Sequence, residues 1–222
     1  MTVFGRVVVA ALATPFFAGA VFAADTANTV WADAYREWNN IAVEPPPPLA
    51  EVMIDPATTG LMVMDMGEAA CNEQQRIRCH WSVPAVKHVL DSAREAGMTI
   101  VFIRTRNMQP EDFVDAIAPL PGEPYFVGTK EDKLWDTGAV EVFREAGVDK
   151  LILMGHQANG SVMVTALGAS FRDFKVIVPV DTMSAATAYQ EQFAIWEIAY
   201  GPAFRNGVST MTRSDMLIFP ED

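Results

Sequence analysis

The chain has 222 residues, 50% hydrophobic and 20% charged, with a formal net charge of −12 at pH 7. So apolar a composition excludes a disordered chain, and the length suits one α/β-sized domain. The acidic balance, 28 Asp and Glu against 16 Lys and Arg, repels phosphate backbones. With no basic patch in the sequence, a nucleic-acid partner is not expected.

The N-terminal stretch "MTVFGRVVVAALATPFFAGAVFAAD" carries one basic residue, Arg6, then an apolar run and the small-residue pattern Val21-Phe22-Ala23. This reads as a secretory signal peptide, residues 1–23, cut after Ala23. Pro15 and the shortness of the run argue against a membrane span, and no later stretch is long and apolar enough to cross a bilayer. The expectation is a periplasmic or secreted protein with no membrane partner after cleavage. Residues 24–57 follow as a short helix and a connector. Trp31, Tyr35 and Trp38 make a helical stripe expected to pack on the domain, and "EPPPPLAEVMIDPATTG" favours extended polyproline II.

From residue 58 to 222 the pattern becomes strand–helix alternation. "GLMVMDM", "MTIVFIRT", "KLILMG" and "KVIVPVD" are continuous apolar runs, the mark of parallel strands buried on both faces. Between and after them, "SVPAVKHVLDSAREAG", "TGAVEVFREAG", "SVMVTALGASFRDF" and "TAYQEQFAIWEIAYG" have helical spacing, and "VSTMTRSDMLIF" is a late strand. The fold class is therefore α/β, a three-layer domain around a mostly parallel sheet.

In such sheets, sites form at the carboxyl ends of strands. The residues there are Asp65, Arg104, Arg106, His156, Gln157, Asn159, Ser161 and Asp181. Asp65 ends an apolar run, where a carboxylate is costly to bury unless paired or used. It reads either as a cap for the next loop or as a general acid or base. Ser161 follows "LILMGHQANG", but a G-x-S-x-G nucleophile elbow is absent, so a helix cap is the simpler reading. Cys71 and Cys79 stand eight positions apart in a chain bound for an oxidising compartment, which predicts a disulfide worth roughly 2–3 kcal/mol. "DMGEAACNEQ" lacks the G-x-G-x-x-G of a dinucleotide site, so no nucleotide cofactor is expected.

From about Thr58 to Phe219 the chain resembles the isochorismatase-like hydrolases, which include nicotinamidases, N-carbamoyl amide hydrolases and isochorismatase. "ATTGLMVMDM" is similar to the family's first strand with its catalytic Asp. "DKLWDTGAVEVFREAGVDKLILMG" and "GHQANGSVMVTALGASFRDFKVIVPVDTMSA" resemble its later motifs. The resemblance implies that Asp65 is the general acid/base. Gly155 and the pair Thr165-Ala166 set the register that puts Ser161 where most members have a nucleophilic Cys. A hydroxyl is far less acidic than a thiol, so the resemblance leaves Ser161 as a cap or polar wall, with nucleophile as the alternative. The family lysine is Lys133 or Lys130, with Lys133 favoured by the similarity of "DKLWDT" to a "DKF" signature. Backbone N–H groups at the helix start, around Gln157, Asn159 and Gly160, would hold an oxyanion.

Nicotinamidases place metal-binding histidines after the second strand, where this chain reads "RTRNMQPEDF". No metal is expected; Arg104 and Arg106 are instead expected to bind a carboxylate-bearing substrate. The resemblance also implies a homo-oligomer and a non-proline cis peptide near His156-Gln157. Two functions follow: an exported hydrolase of a small-molecule amide, ureide or vinyl ether, with water or Ser161 attacking, or a periplasmic binding protein that lost the chemistry.

Overall fold

The computed structural model describes residues 34–105 and 108–220. The signal segment expected over residues 1–23, Trp31 and Arg106 lie outside the described residues. Two compact units divide the chain, Met1–Pro45 and Pro46–Asp222. The described part of the first holds a one-turn helix, α1 (Ala34–Glu37), with no buried residue. Tyr35 and Trp38 of the expected stripe are exposed.

The second unit is built on parallel strands. In chain order they are β1 (Val52–Met53), β2 (Thr59–Met64), β3 (Thr99–Thr105), β4 (Tyr125–Gly128), β5 (Lys150–His156), β6 (Lys175–Pro179), β7 (Met183–Ser184), β8 (Ser209–Thr212) and β9 (Leu217–Ile218). The main sheet runs β4-β3-β2-β5-β6-β8 with β7 beside the end of β5, and β1 pairs separately with β9. Every one of these strand pairs is parallel. All six residues of β2 are buried, as continuous apolar runs require when helices cover both faces.

Four helices make the outer layers: α2 (Ile77–Glu95), α3 (Ala139–Glu145), α4 (Met163–Ser170) and α5 (Ala188–Tyr200). On one face Leu61, Val63 and Phe102 pack with Val86 and Leu90 of α2. On the other, Met62, Met64 and Leu153 pack with Phe143, Ala166 and Ile198 of the remaining helices. The three-layer α/β expectation holds.

Several elements differ from the sequence reading, the two-residue strands β1 and β7 among them. Helix α2 starts at Ile77, not near Ser82, and runs through Pro84. The late strand breaks in two around a 3-10 turn at Ser214–Met216. Strand β4 was not foreseen, because four residues behind "PLPGEP" give too short a periodic signal.

Close packing at the carboxyl edge explains one glycine of the motif. Gly155 has φ 133°, and an ideal Cβ there would lie 2.1 Å from the Met64 carbonyl oxygen. Only glycine lets β5 press this close to the residue that precedes Asp65.

Candidate active site

Asp65 leaves β2 in the left-handed region, with φ 55°, a conformation that Asp tolerates better than most residues. Its N–H still donates to the Ile103 carbonyl at 3.0 Å, so the main chain remains tied to β3 while the side chain turns off the sheet. The carboxylate is met from three sides. Thr105 Oγ1 donates to Oδ1 at 2.9 Å, Lys133 Nζ lies 2.9 Å from Oδ2, and Ser161 Oγ donates to Oδ2 at 2.6 Å. Lys133 Nζ also donates to Thr105 Oγ1 at 3.0 Å.

The Lys133 side chain is 1% exposed and Asp65 12%. A buried ammonium needs a counter-charge and hydrogen-bond acceptors, and Asp65 with Thr105 supplies both. Lys130, the other candidate, is exposed. The loop reaches this position by binding α4. Lys133 N–H donates to Thr165 Oγ1 at 2.9 Å, and Thr165 Oγ1 donates to the Glu131 carbonyl at 3.2 Å. Thr137 Oγ1 donates back to the Lys133 carbonyl at 2.8 Å. Next to it, Asp132 takes the Arg172 guanidinium at 2.9 Å over Gly168, where an ideal Cβ would lie 2.4 Å from the Asp132 carboxylate. The threonine and glycine of α4 thus set the lysine's place.

Ser161 is 3% exposed and sits in a wide turn, Ala158–Val162, that leads into α4. It does not cap the helix. The residues at the two N-cap positions, Gln157 and Val162, make no side-chain cap bond, and the Ser161 hydroxyl points instead at Asp65. The same hydroxyl lies 3.2 Å from Glu131 Oε2. Glu131 escaped the sequence reading because in "TKEDKLW" it looks like one member of a solvated charge run.

The turn itself is used internally. The oxyanion role expected of Gly160 does not hold in this structure, because its N–H and that of Val162 both donate to the Gln157 carbonyl, at 3.0 and 3.1 Å. An ideal Cβ at Gly160 would lie 3.1 Å from Glu131 Oε2. Asn159 Oδ1 is buried and without a hydrogen-bond partner. The His156–Gln157 peptide is cis, where the resemblance placed it.

Across the edge, Cys71 and Cys79 form the expected disulfide, with Cα atoms 4.9 Å apart. The loop it closes ends near His156, whose Nε2 accepts from Arg76 Nη1 while Nδ1 lies 3.1 Å from Ser184 Oγ. Burial, and after it the Arg76 charge, pushes the His156 pKa down to about 4. The ring is therefore neutral near pH 7, which suits an acceptor at Nε2. Arg104 does not join the cluster. Its side chain is buried, its guanidinium lies 5.4 Å over the Tyr125 ring, and Nη1 donates to the Thr105 carbonyl at 3.2 Å. Asp181 accepts from the Ser214 N–H at 2.9 Å and from its Oγ at 2.6 Å, a loop-holding role.

The isochorismatase domain model matches residues 59–213. The chain belongs to the isochorismatase family. Within it, an uncharacterized isochorismatase family protein of Bacillus subtilis (strain 168) is 23% identical over 147 residues, spanning 59% of this chain and 78% of that one. A cysteine hydrolase from Pseudomonas syringae pv. phaseolicola 1448A superposes with a TM-score of 0.65 at 19% identity, over 76% of this chain and 94% of its own. An N-carbamoylsarcosine amidase from Thermoplasma acidophilum gives 0.60 at 20% identity, over 71% and 97%. Likeness at these identities shows the fold. Where the sequence resemblance expects a thiol, this chain presents a hydroxyl, that of Ser161, to the Asp–Lys pair.

Proposed function

We propose that this chain is an exported hydrolase that cleaves the C–N bond of a small-molecule amide or ureide, with Ser161 attacking, Asp65 as general base and Lys133 beside it. The observation that carries this reading is the 2.6 Å hydrogen bond from Ser161 Oγ to Asp65 Oδ2. A nucleophile held to its base, with the base held by a third group, is the arrangement that acyl transfer needs. The Asp65 carboxylate is oriented in turn by Lys133 and Thr105.

The step balances simply. Ser161 Oγ bonds to the carbonyl carbon as its proton passes to Asp65, and the C=O π pair moves onto oxygen. Collapse breaks the C–N bond, and Asp65 returns the proton to the leaving nitrogen. Lys133 stabilises the charge that shifts across the carboxylate during the transfer. The amide class is supported by the family's fold and by the amidase among its structural relatives.

Export rests on Arg6, the apolar run and the Val21-Phe22-Ala23 site, and the Cys71–Cys79 bridge is consistent with an oxidising compartment. Assembly into a homo-oligomer is part of the same proposal.

The test is product release from a panel of amides, ureides and enol ethers by the mature protein, beside Ser161→Ala and Asp65→Asn. Both variants are expected to lose about 10²–10⁴-fold in turnover. Activity that survives Ser161→Ala would make water the nucleophile. Binding without turnover across the whole panel would make the chain a binding protein.

A further inference from the structure

We propose that Glu131 is a second catalytic carboxylate, acting in the hydrolysis of the acyl-enzyme. Asp65 then serves the first half-reaction and Glu131 the second. This rests on the reading of Ser161 as nucleophile.

Ser161 Oγ has too few protons for its neighbours. A hydroxyl has one proton to donate, yet Oγ lies against two carboxylates, Asp65 Oδ2 at 2.6 Å and Glu131 Oε2 at 3.2 Å. The shorter contact takes the proton. Once Oγ carries an acyl group it has no proton at all, and the Glu131 contact would set a carboxylate against an ester oxygen. A water molecule hydrogen-bonded to Glu131 resolves that conflict and places the next reactant beside the acyl carbon.

Accessibility divides the labour in the same way. Asp65 is enclosed by Thr105, Lys133 and Ser161, with its side chain 12% exposed. In the acyl-enzyme, with the Ser161 proton gone, its oxygens still receive Thr105 Oγ1 and Lys133 Nζ, and its enclosed position leaves it less room than Glu131 has to recruit a water. Glu131 is exposed, and among the described residues the one hydrogen bond of its side chain is that with Ser161. It therefore faces solvent on one side and the reacting oxygen on the other.

The fold keeps this place for it. The Glu131 carbonyl is held by Thr165 Oγ1, which also takes the Lys133 N–H. One threonine thus sets both the lysine and the glutamate. Gly160 lies against the glutamate carboxylate, since a Cβ there would make a tight 3.1 Å contact with Oε2.

Water gives a proton to Glu131 while its oxygen bonds to the acyl carbon and the C=O π pair moves onto oxygen. On collapse the C–Oγ bond breaks, and Glu131 returns the proton to Ser161 Oγ. The net change is one water consumed, one acid released and both residues restored. No other reactant is needed.

The experiment compares unmutated protein with Glu131→Gln and Glu131→Asp in pre-steady-state turnover, using a p-nitroanilide or p-nitrophenyl ester of a small acid as probe, with intact-mass analysis of the quenched protein. In Glu131→Gln, kcat and KM are expected to fall together by 10-fold or more, leaving kcat/KM within about 3-fold of the parent. The acyl adduct accumulates, and Glu131→Asp recovers part of the rate. A glutamate with a purely structural role would instead lower kcat/KM without adduct. An adduct that clears at the parent rate in Glu131→Gln overturns the assignment and leaves Ser161 as nucleophile. Turnover with no adduct in either protein overturns both.

Discussion

Two loops frame the carboxyl edge of the sheet, and they are held in place by different means. The loop after β2 is closed covalently by Cys71–Cys79. Around it the polar groups satisfy one another: Asn72 Oδ1 accepts two N–H groups of the loop, from Gln74 and Gln75, and Arg76 donates to a neutral His156. The loop before α3 has no covalent tie. It is held by hydrogen bonds to Thr165 of α4 and to Arg172 just beyond that helix, and it carries Glu131 and Lys133. A covalent clasp fixes a main chain cheaply in residues, but it does not aim side chains. The hydrogen-bonded loop is anchored on α4, the helix into which the Ser161 turn leads, so lysine, glutamate and serine are placed in one register. The first loop is a wall; the second holds the reacting groups.

That contrast can be broken at several points. The largest effect is expected from Lys133→Met, which keeps the volume and leaves the Asp65 carboxylate without its buried partner. A loss of about 3–5 kcal/mol in urea unfolding should accompany the loss of activity. A small change in stability would show that the lysine is only loosely coupled to the fold.

On the wall side, the prediction is pH-dependent stability without a direct role in chemistry. The His156 pKa is lowered from 6.5 to about 4 by burial and by Arg76, against smaller opposing pulls from Asp65 and Glu191. The unfolded chain therefore binds the extra proton first. The contribution is full above about pH 6.5 and is lost as pH falls toward about 4, amounting to up to about 3 kcal/mol. Urea midpoints at pH 7 and pH 4.5 should show that slope in the parent, and a reduced one in His156→Gln.

Removing the clasp sharpens the comparison further. Cys71→Ser with Cys79→Ser closes no loop in the unfolded chain and should cost about 2–3 kcal/mol. Activity measured well below the melting temperature should stay within a few-fold of the parent. The smallest effect is expected from Gly168→Ala, which sets a methyl against the Asp132 carboxylate and should cost about 1–3 kcal/mol. That change is expected to lower activity more than the disulfide variant does, because the displaced loop carries Lys133.

Much of this was legible in the sequence, for physical reasons that differ by residue. The strands showed because parallel strands covered on both faces must be apolar throughout, as β2 and β5 are. Asp65 stood out because a carboxylate at the end of such a run demands an explanation. The cysteine pair needed only spacing and compartment. The choice between Lys130 and Lys133 was not decidable locally, since it is made by Thr165, 32 residues away in the chain. Glu131 carries no local mark either; its neighbours in sequence are charged, and its partner Ser161 is 30 residues on. The reading of Ser161 as a helix cap failed because the wide turn at Ala158–Val162 puts its hydroxyl over β2 instead of over the first turn of α4. Arg104 looked available at a strand end, but Tyr125 on the unforeseen strand β4 takes its guanidinium.

The most direct test of the central claim is intact-mass spectrometry of the mature protein quenched during turnover of an activated ester or amide. One added acyl group is expected, localised to Ser161 by peptide mapping and missing from Ser161→Ala. Formation of the adduct should be strongly slowed in Asp65→Asn. Multiple turnover with no adduct at Ser161, or an adduct that persists in Ser161→Ala, would contradict it.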